Sequence, residues 1–105
     1  MIKAVFYKNN NGFSGYEIRG HSGYAKRGKD IVCASVSSLA IHTTNILDEE
    51  CSNVTIQQNN DRGQIIVDLK TSSSLSDMLI RHLILTLKEI QQEFSGYLLV
   101  EVKEE

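Results

Sequence analysis

The stretch IKAVFYKNNNGFSGYEIRG, residues 2–20, decides the fold class. Ile2, Ala4 and Phe6 fall on one side of an extended chain and Lys3, Val5 and Tyr7 on the other, a period of two that marks a strand. Asn9-Asn10-Asn11-Gly12 comes next, a run of residues that tolerate a left-handed backbone and so turn the chain. Phe13 to Gly20 then alternates through Ser14, Tyr16 and Ile18. Two alternating runs around such a turn predict a β-hairpin over Ile2–Lys8 and Phe13–Gly20.

Beyond the hairpin, His21 to Lys29 carries Gly23, Gly28 and three basic residues, with neither a helical nor a strand period. It is expected to be a mobile loop with nothing to pin it to a core. Asp30 opens a helix that runs to about Glu50, with Val32, Val36, Leu39, Thr43, Ile46 and Leu47 on one stripe and Ala34 and Ile41 opposite. The second half repeats the plan. Val54 and Ile56 alternate, Asn59-Asn60-Asp61-Arg62-Gly63 turns, and Ile65, Val67 and Leu69 alternate again. A serine-rich cap, Thr71 to Ser74, leads into a second helix to about Phe94, with Leu79, Ile80, Leu83, Leu87, Ile90 and Phe94 facing the core. Met78 and Leu85 project away from that stripe. Leu98, Val100 and Val102 predict a closing strand after Ser95-Gly96. The order ββαββαβ implies an α+β fold: a two-layer sandwich, both helices on one face of a mostly antiparallel sheet.

Size and composition agree with one such domain over residues 1–105. The chain has 41% apolar and 23% charged residues, 7 glycines and no proline, which excludes a disordered or collagen-like chain. No apolar run approaches the ~20 residues of a membrane span. The N-terminus lacks the apolar stretch and small-residue cleavage site of a signal peptide, so no membrane association is expected. A net charge of −2, from 11 basic and 13 acidic residues, argues against direct nucleic-acid binding. Cys33 and Cys51 are too few for a disulfide scaffold and lie outside any zinc spacing, which suggests a reduced, cytoplasmic protein. Eighteen helical residues would hold them ~27 Å apart, far beyond disulfide reach.

One stretch is richer than a fold requires: Gly20-His21, the loop, then Asp30-Ile31-Val32-Cys33-Ala34-Ser35-Val36-Ser37. With Asp30 as N-cap, Cys33 is the third helical residue, where free N–H groups and the positive end of the helix dipole stabilise a thiolate. A neighbouring imidazole can take the thiol proton. The N–H groups of the same turn are expected to bind an oxyanion on an attacked carbonyl. Spacing alone favours the plainer alternative, in which Cys33 is a small buried apolar residue and Asp30 only a cap. His42 and His82 fall off the core stripes and read as solvated, with no metal-ligand cluster around them. Lys26-Arg27 is too short a charge run to imply nucleic acid. No cofactor motif is present, since no glycine-rich phosphate loop follows a strand.

The run GHSGYAKRGKDIVCASVSS, residues 20–38, resembles the signature of the Prp family, the ribosomal-processing cysteine proteases. That pattern is a Gly-His pair, a glycine-containing loop, then Asp-Ile-Val-Cys-Ala with a serine on the following turn. The resemblance implies that Cys33 is the nucleophile and His21 its general base. Gly20, Asp30 and Ser37 match the remaining motif positions: Asp30 as orienter of the loop or imidazole as well as cap, Ser37 with a hydroxyl near the thiol or as a small residue allowing close approach. It further implies a homodimeric endopeptidase that removes an apolar N-terminal extension from large-subunit ribosomal protein twenty-seven. Two rival functions are a non-catalytic ribosome-assembly or peptide-binding module and a thiol acyltransferase.

Overall fold

β1 (Ile2–Asn9) and β2 (Gly12–Arg19) form the expected hairpin, and a computed structural model describes all residues from 1 to 105. The register pairs Ala4 with Ile18 and Phe6 with Tyr16, so the apolar members of both strands face the same side. The strands slip out of simple register between Tyr7 and Lys8, where the hairpin closes on Gly12. The remaining elements are α1 (Ile31–Glu50), β3 (Val54–Asn59), β4 (Gln64–Leu69), α2 (Ser74–Glu93) and β5 (Leu98–Glu104).

The order ββαββαβ is thus observed, and the five strands lie in the spatial order β3-β4-β2-β1-β5. All pairings are antiparallel except β1 with β5, which run parallel. A parallel neighbour requires a crossover, and α2 supplies it. The Ile2 N–H donates to the Tyr97 carbonyl at 3.0 Å, tying the two chain ends together just before their strands pair.

One face of the sheet buries Ile2, Ala4, Phe6, Tyr16, Ile18, Ile65, Val67, Leu69, Leu98 and Val100 in a single cluster with both helices. From α1 come Val32, Val36, Ala40, Thr43, Thr44 and Leu47. From α2 come Ser76, Ile80, Leu83, Ile84 and Leu87. The stripe on α1 is rotated slightly from its sequence projection: Leu39 and Ile46 sit at its margin, and the small Ala40 and Thr44 lie at its centre. Small residues there let the helix approach the sheet closely. Each fully buried leucine or isoleucine, such as Leu47, Ile80 and Leu87, contributes about 1.5–3 kcal/mol. Although α1 is long and apolar enough on average to cross a membrane, its apolar stripe is packed on the sheet and its outer side carries Ser35, Ser38, His42 and Asn45.

Two polar devices fix the helices in place. Ser73 and Ser76 form a capping box, each side chain accepting from the other's backbone N–H, at 3.1 and 2.9 Å. In the core the Tyr16 hydroxyl meets Thr44 Oγ1 at 2.6 Å, which joins β2 to α1 and satisfies both buried groups. Burial pushes the Tyr16 phenol up to about 12, against the opposing effect of the Thr44 hydrogen bond.

The segment between β2 and α1 is not the untethered loop that its sequence suggests. Ser22 is buried, and Tyr24 packs edge-on against Phe94 and Tyr97 with ring centroids 5.4 and 5.2 Å away. Aromatic residues 70 or more positions later anchor its first half, and such contacts leave no local periodicity. From Lys26 to Lys29 every residue is exposed, and only the Lys29 N–H is bonded, closing a turn onto Lys26.

Candidate active site

β2 ends at Arg19, and Gly20 turns the chain out of the sheet with φ +99. A methyl group on Gly20 would stand 2.8 Å from the Met1 carbonyl oxygen, so both the backbone angle and the space demand glycine. The turn delivers His21 to the surface, where it is exposed, and Ser22 back into the interior. Gly20 is therefore a backbone residue of the site, with no chemical group to offer.

Asp30 organises the loop and the start of α1. Its Oδ1 accepts the Cys33 N–H at 2.9 Å and so caps the helix, as the sequence predicts. Its Oδ2 accepts the Ser22 hydroxyl at 2.5 Å and the N–H groups of Tyr24 and Ala25 at 3.2 and 3.3 Å. Burial raises the pKa of this carboxyl, but the Ser22 hydroxyl and the N–H groups of Cys33, Ala25 and Val32 outweigh it and bring Asp30 from 3.8 down to about 2. Asp30 thus orients the loop and caps the helix. It makes no hydrogen bond to His21.

Cys33 is half-buried in the first turn of α1. The Ser22 N–H donates to its sulfur at 3.2 Å, and the sulfur lies 3.6 Å from the Ser22 hydroxyl oxygen. The oxyanion arrangement read from the sequence needs revision here: the Cys33 N–H is committed to Asp30, so this donor of the first turn is occupied by the cap.

His21 and Cys33 line the same cleft of about 600 Å³, together with Ser37 on α1, Arg27 and Lys29 on the loop and Asp61 on the β3–β4 turn. A second cavity of about 140 Å³ continues toward Ile2, Ile18, Val36 and Gly63, and His21, Cys33 and Ser37 border that one too. Ser37 is exposed, one turn beyond Cys33, and makes no hydrogen bond to the sulfur. Its small side chain leaves the cleft open. No three His, Cys, Asp or Glu side chains are grouped to hold a metal, and His42 and His82 are exposed away from this site.

Sequence reasoning missed Ser22, Asp61 and Gly63. Ser22 directly succeeds His21, yet nothing in its neighbours' pattern says that it is buried. Asp61 and Gly63 read correctly as turn residues, but their closeness to His21 depends on β2 and β4 being neighbours.

The sequence profile of the family described as cysteine protease Prp matches residues 1–99. The chain belongs to this family. It is a cysteine protease, and the resemblance of residues 20–38 was the right guide. Among solved structures, the ribosomal processing protease Prp of Staphylococcus aureus with a covalently linked product peptide superposes with a TM-score of 0.89 at 20% identity, over 98% of this chain and all of that one. The same S. aureus protease with a substrate peptide gives 0.83 at 19% identity, again over 98% of this chain and all of the other. SMU.848 from Streptococcus mutans gives 0.83 at 23% identity, over 100% and 96% of the two chains. At these identities the likeness establishes the fold. No curated protein sequence matches significantly.

Proposed function

We propose that this protein is a cytoplasmic endopeptidase that removes the N-terminal extension of large-subunit ribosomal protein twenty-seven, with Cys33 as nucleophile and His21 as general base. The observation that carries the assignment of residues is that His21 and Cys33 border the same cleft while the Ser22 N–H points at the sulfur. The structurally similar S. aureus protein is an essential ribosomal processing protease, seen once with a substrate peptide and once with a covalently linked product peptide, and this supports the class of substrate.

In this reading His21 takes the Cys33 proton, and the sulfur attacks the carbonyl carbon of the scissile peptide. The tetrahedral adduct collapses as His21 returns the proton to the leaving amine, which departs as the new N-terminus of the product. A thioester remains on Cys33. Water, deprotonated by His21, attacks that thioester, and the acid product leaves as the thiol is restored. Asp30 holds the loop and helix in register throughout, through its bonds to Ser22 and Cys33.

Homodimerisation belongs to the same proposal. Ile41, Met78 and Leu85 are exposed on the outer sides of the helices, as their sequence positions predict, and offer an apolar contact for a second copy.

The experiment is to incubate the protein with the ribosomal protein twenty-seven of its own organism and weigh the products. A new N-terminus produced by the wild type and not by Cys33→Ala is the expected result. An intact substrate after prolonged incubation with folded wild-type protein overturns the assignment.

A further inference from the structure

His21 is exposed and no carboxylate hydrogen-bonds its ring. A histidine base normally owes its orientation to a partner on its second nitrogen. Asp30, the acidic residue of the motif, is fully engaged with Ser22, Cys33, Tyr24 and Ala25. Something else must hold the imidazole against free rotation into solvent.

The β3–β4 turn supplies it. Just past the β2–β4 pairing of Ile18 with Ile65, the Gly20 N–H donates to the Gly63 carbonyl at 3.2 Å. The Gly63 N–H closes its own turn onto the Asn60 carbonyl, also at 3.2 Å. Gly63 has φ +58, and its Cα faces the ring of His21. A methyl group there would stand 2.9 Å from the Gly20 carbonyl oxygen, 3.1 Å from His21 Cε1 and 3.5 Å from His21 Nδ1. The first distance is too short for any stable contact, and the second demands that the ring give way.

We infer that Gly63 is a positioning residue for His21: the bare Cα of the turn is the seat on which the imidazole rests, and packing takes the place of a third polar group. This inference rests on His21 being the general base, as proposed above. It assigns a role in the reaction to a turn distant in sequence from the motif, and it explains how an exposed histidine keeps its direction toward the cleft.

The test uses three variants: Gly63→Ala, Gly63→Asn and His21→Ala. Asparagine tolerates a φ near +58 far better than alanine does, yet it carries the same Cβ. Gly63→Asn therefore relieves the strain of the positive φ that Gly63→Ala adds, while both variants keep the close approach to the Gly20 carbonyl oxygen and to the His21 ring. Its thermal midpoint is expected to fall less than that of Gly63→Ala, while kcat for the ribosomal-protein peptide, measured on folded protein, falls roughly tenfold to a hundredfold with KM changing little. The pH profile of Cys33 alkylation by iodoacetamide is expected to move with it, which a purely structural defect would not cause. In wild-type protein an NMR contact between the Gly63 α-protons and the His21 Cε1 proton is expected.

Wild-type kcat and alkylation profile in folded Gly63→Asn overturn the seat. Absence of the NMR contact overturns it as well, even if both glycine variants fail to fold. Full activity in His21→Ala instead removes His21 from the reaction and overturns the base assignment together with the positioning role, an outcome told apart from failure of the seat alone because the NMR contact would still be seen.

Discussion

The Ser22 N–H donates to the sulfur of Cys33 at 3.2 Å, across the loop that separates them in sequence. The same serine gives its hydroxyl proton to Asp30, which in turn holds the N–H of Cys33. Cys33 is thus gripped at its backbone and its sulfur by one short polar chain. This chain makes several outcomes measurable.

Replacing Cys33 by Ala or Ser should reduce peptide cleavage by roughly a thousandfold or more without unfolding the domain. A serine hydroxyl is far harder to ionise, and the donor from Ser22 cannot make up the difference. Cys51→Ala, at the far end of α1, should be nearly silent in activity. Rates of peptide hydrolysis on folded variants decide this, and substantial turnover by Cys33→Ala contradicts the mechanism.

Asp30 should stabilise the fold only while ionised. Its pKa is lowered from 3.8 to about 2 on folding, so the contribution is complete above 3.8 and is lost as pH falls through about 2. In Asp30→Asn that dependence should vanish. Urea midpoints measured across this range should fall more steeply for the wild type than for the variant. Parallel curves in the acid range, equally steep, would count against the bonding of Asp30 to Ser22 and Cys33.

Hydrogen exchange should divide the loop in two. The N–H groups of Ser22, Tyr24 and Ala25 are bonded and should exchange slowly, whereas those of Lys26, Arg27 and Gly28 should exchange fast. Tyr24→Ala removes two aromatic contacts worth about 0.5–1.5 kcal/mol each and should speed exchange in the first half alone. Uniformly fast exchange from Ser22 to Lys29 in the wild type would restore the untethered loop.

The buried pair Tyr16–Thr44 should show coupling. Thr44→Val strands the phenol hydroxyl and should cost about 1–3 kcal/mol, while Tyr16→Phe should cost about 1 kcal/mol. The double variant should be less destabilised than the sum, because neither partner is then left waiting. Strictly additive losses in denaturant unfolding would mean that the hydroxyls do not depend on one another.

Sedimentation at micromolar concentration should find a dimer. Met78→Lys with Leu85→Lys should shift it toward monomer, both side chains being exposed on α2. A dimer undisturbed by the pair moves the contact elsewhere, to the open sheet face or an edge strand.

Short windows of the chain carried the features that could be read without a structure. Alternation in residues 2–8 and 54–69, the helical stripes, the Asp30 cap and the exposure of Ile41, Met78 and Leu85 all come from period and capping chemistry. The motif around His21 and Cys33 was legible for the same reason, since its parts are close in sequence. The strand order β3-β4-β2-β1-β5 was not, because pairing partners are chosen by the packing of the whole apolar face and no local pattern names them. Everything that depends on that order was hidden with it: the aromatic anchor of Tyr24 on Phe94 and Tyr97, and the meeting of Gly63 with His21. Local sequence marked His21 and Cys33 as the candidates for chemistry, because capping and motif spacing are short-range, and only the long-range register of β2 against β4 decided what lies against the imidazole.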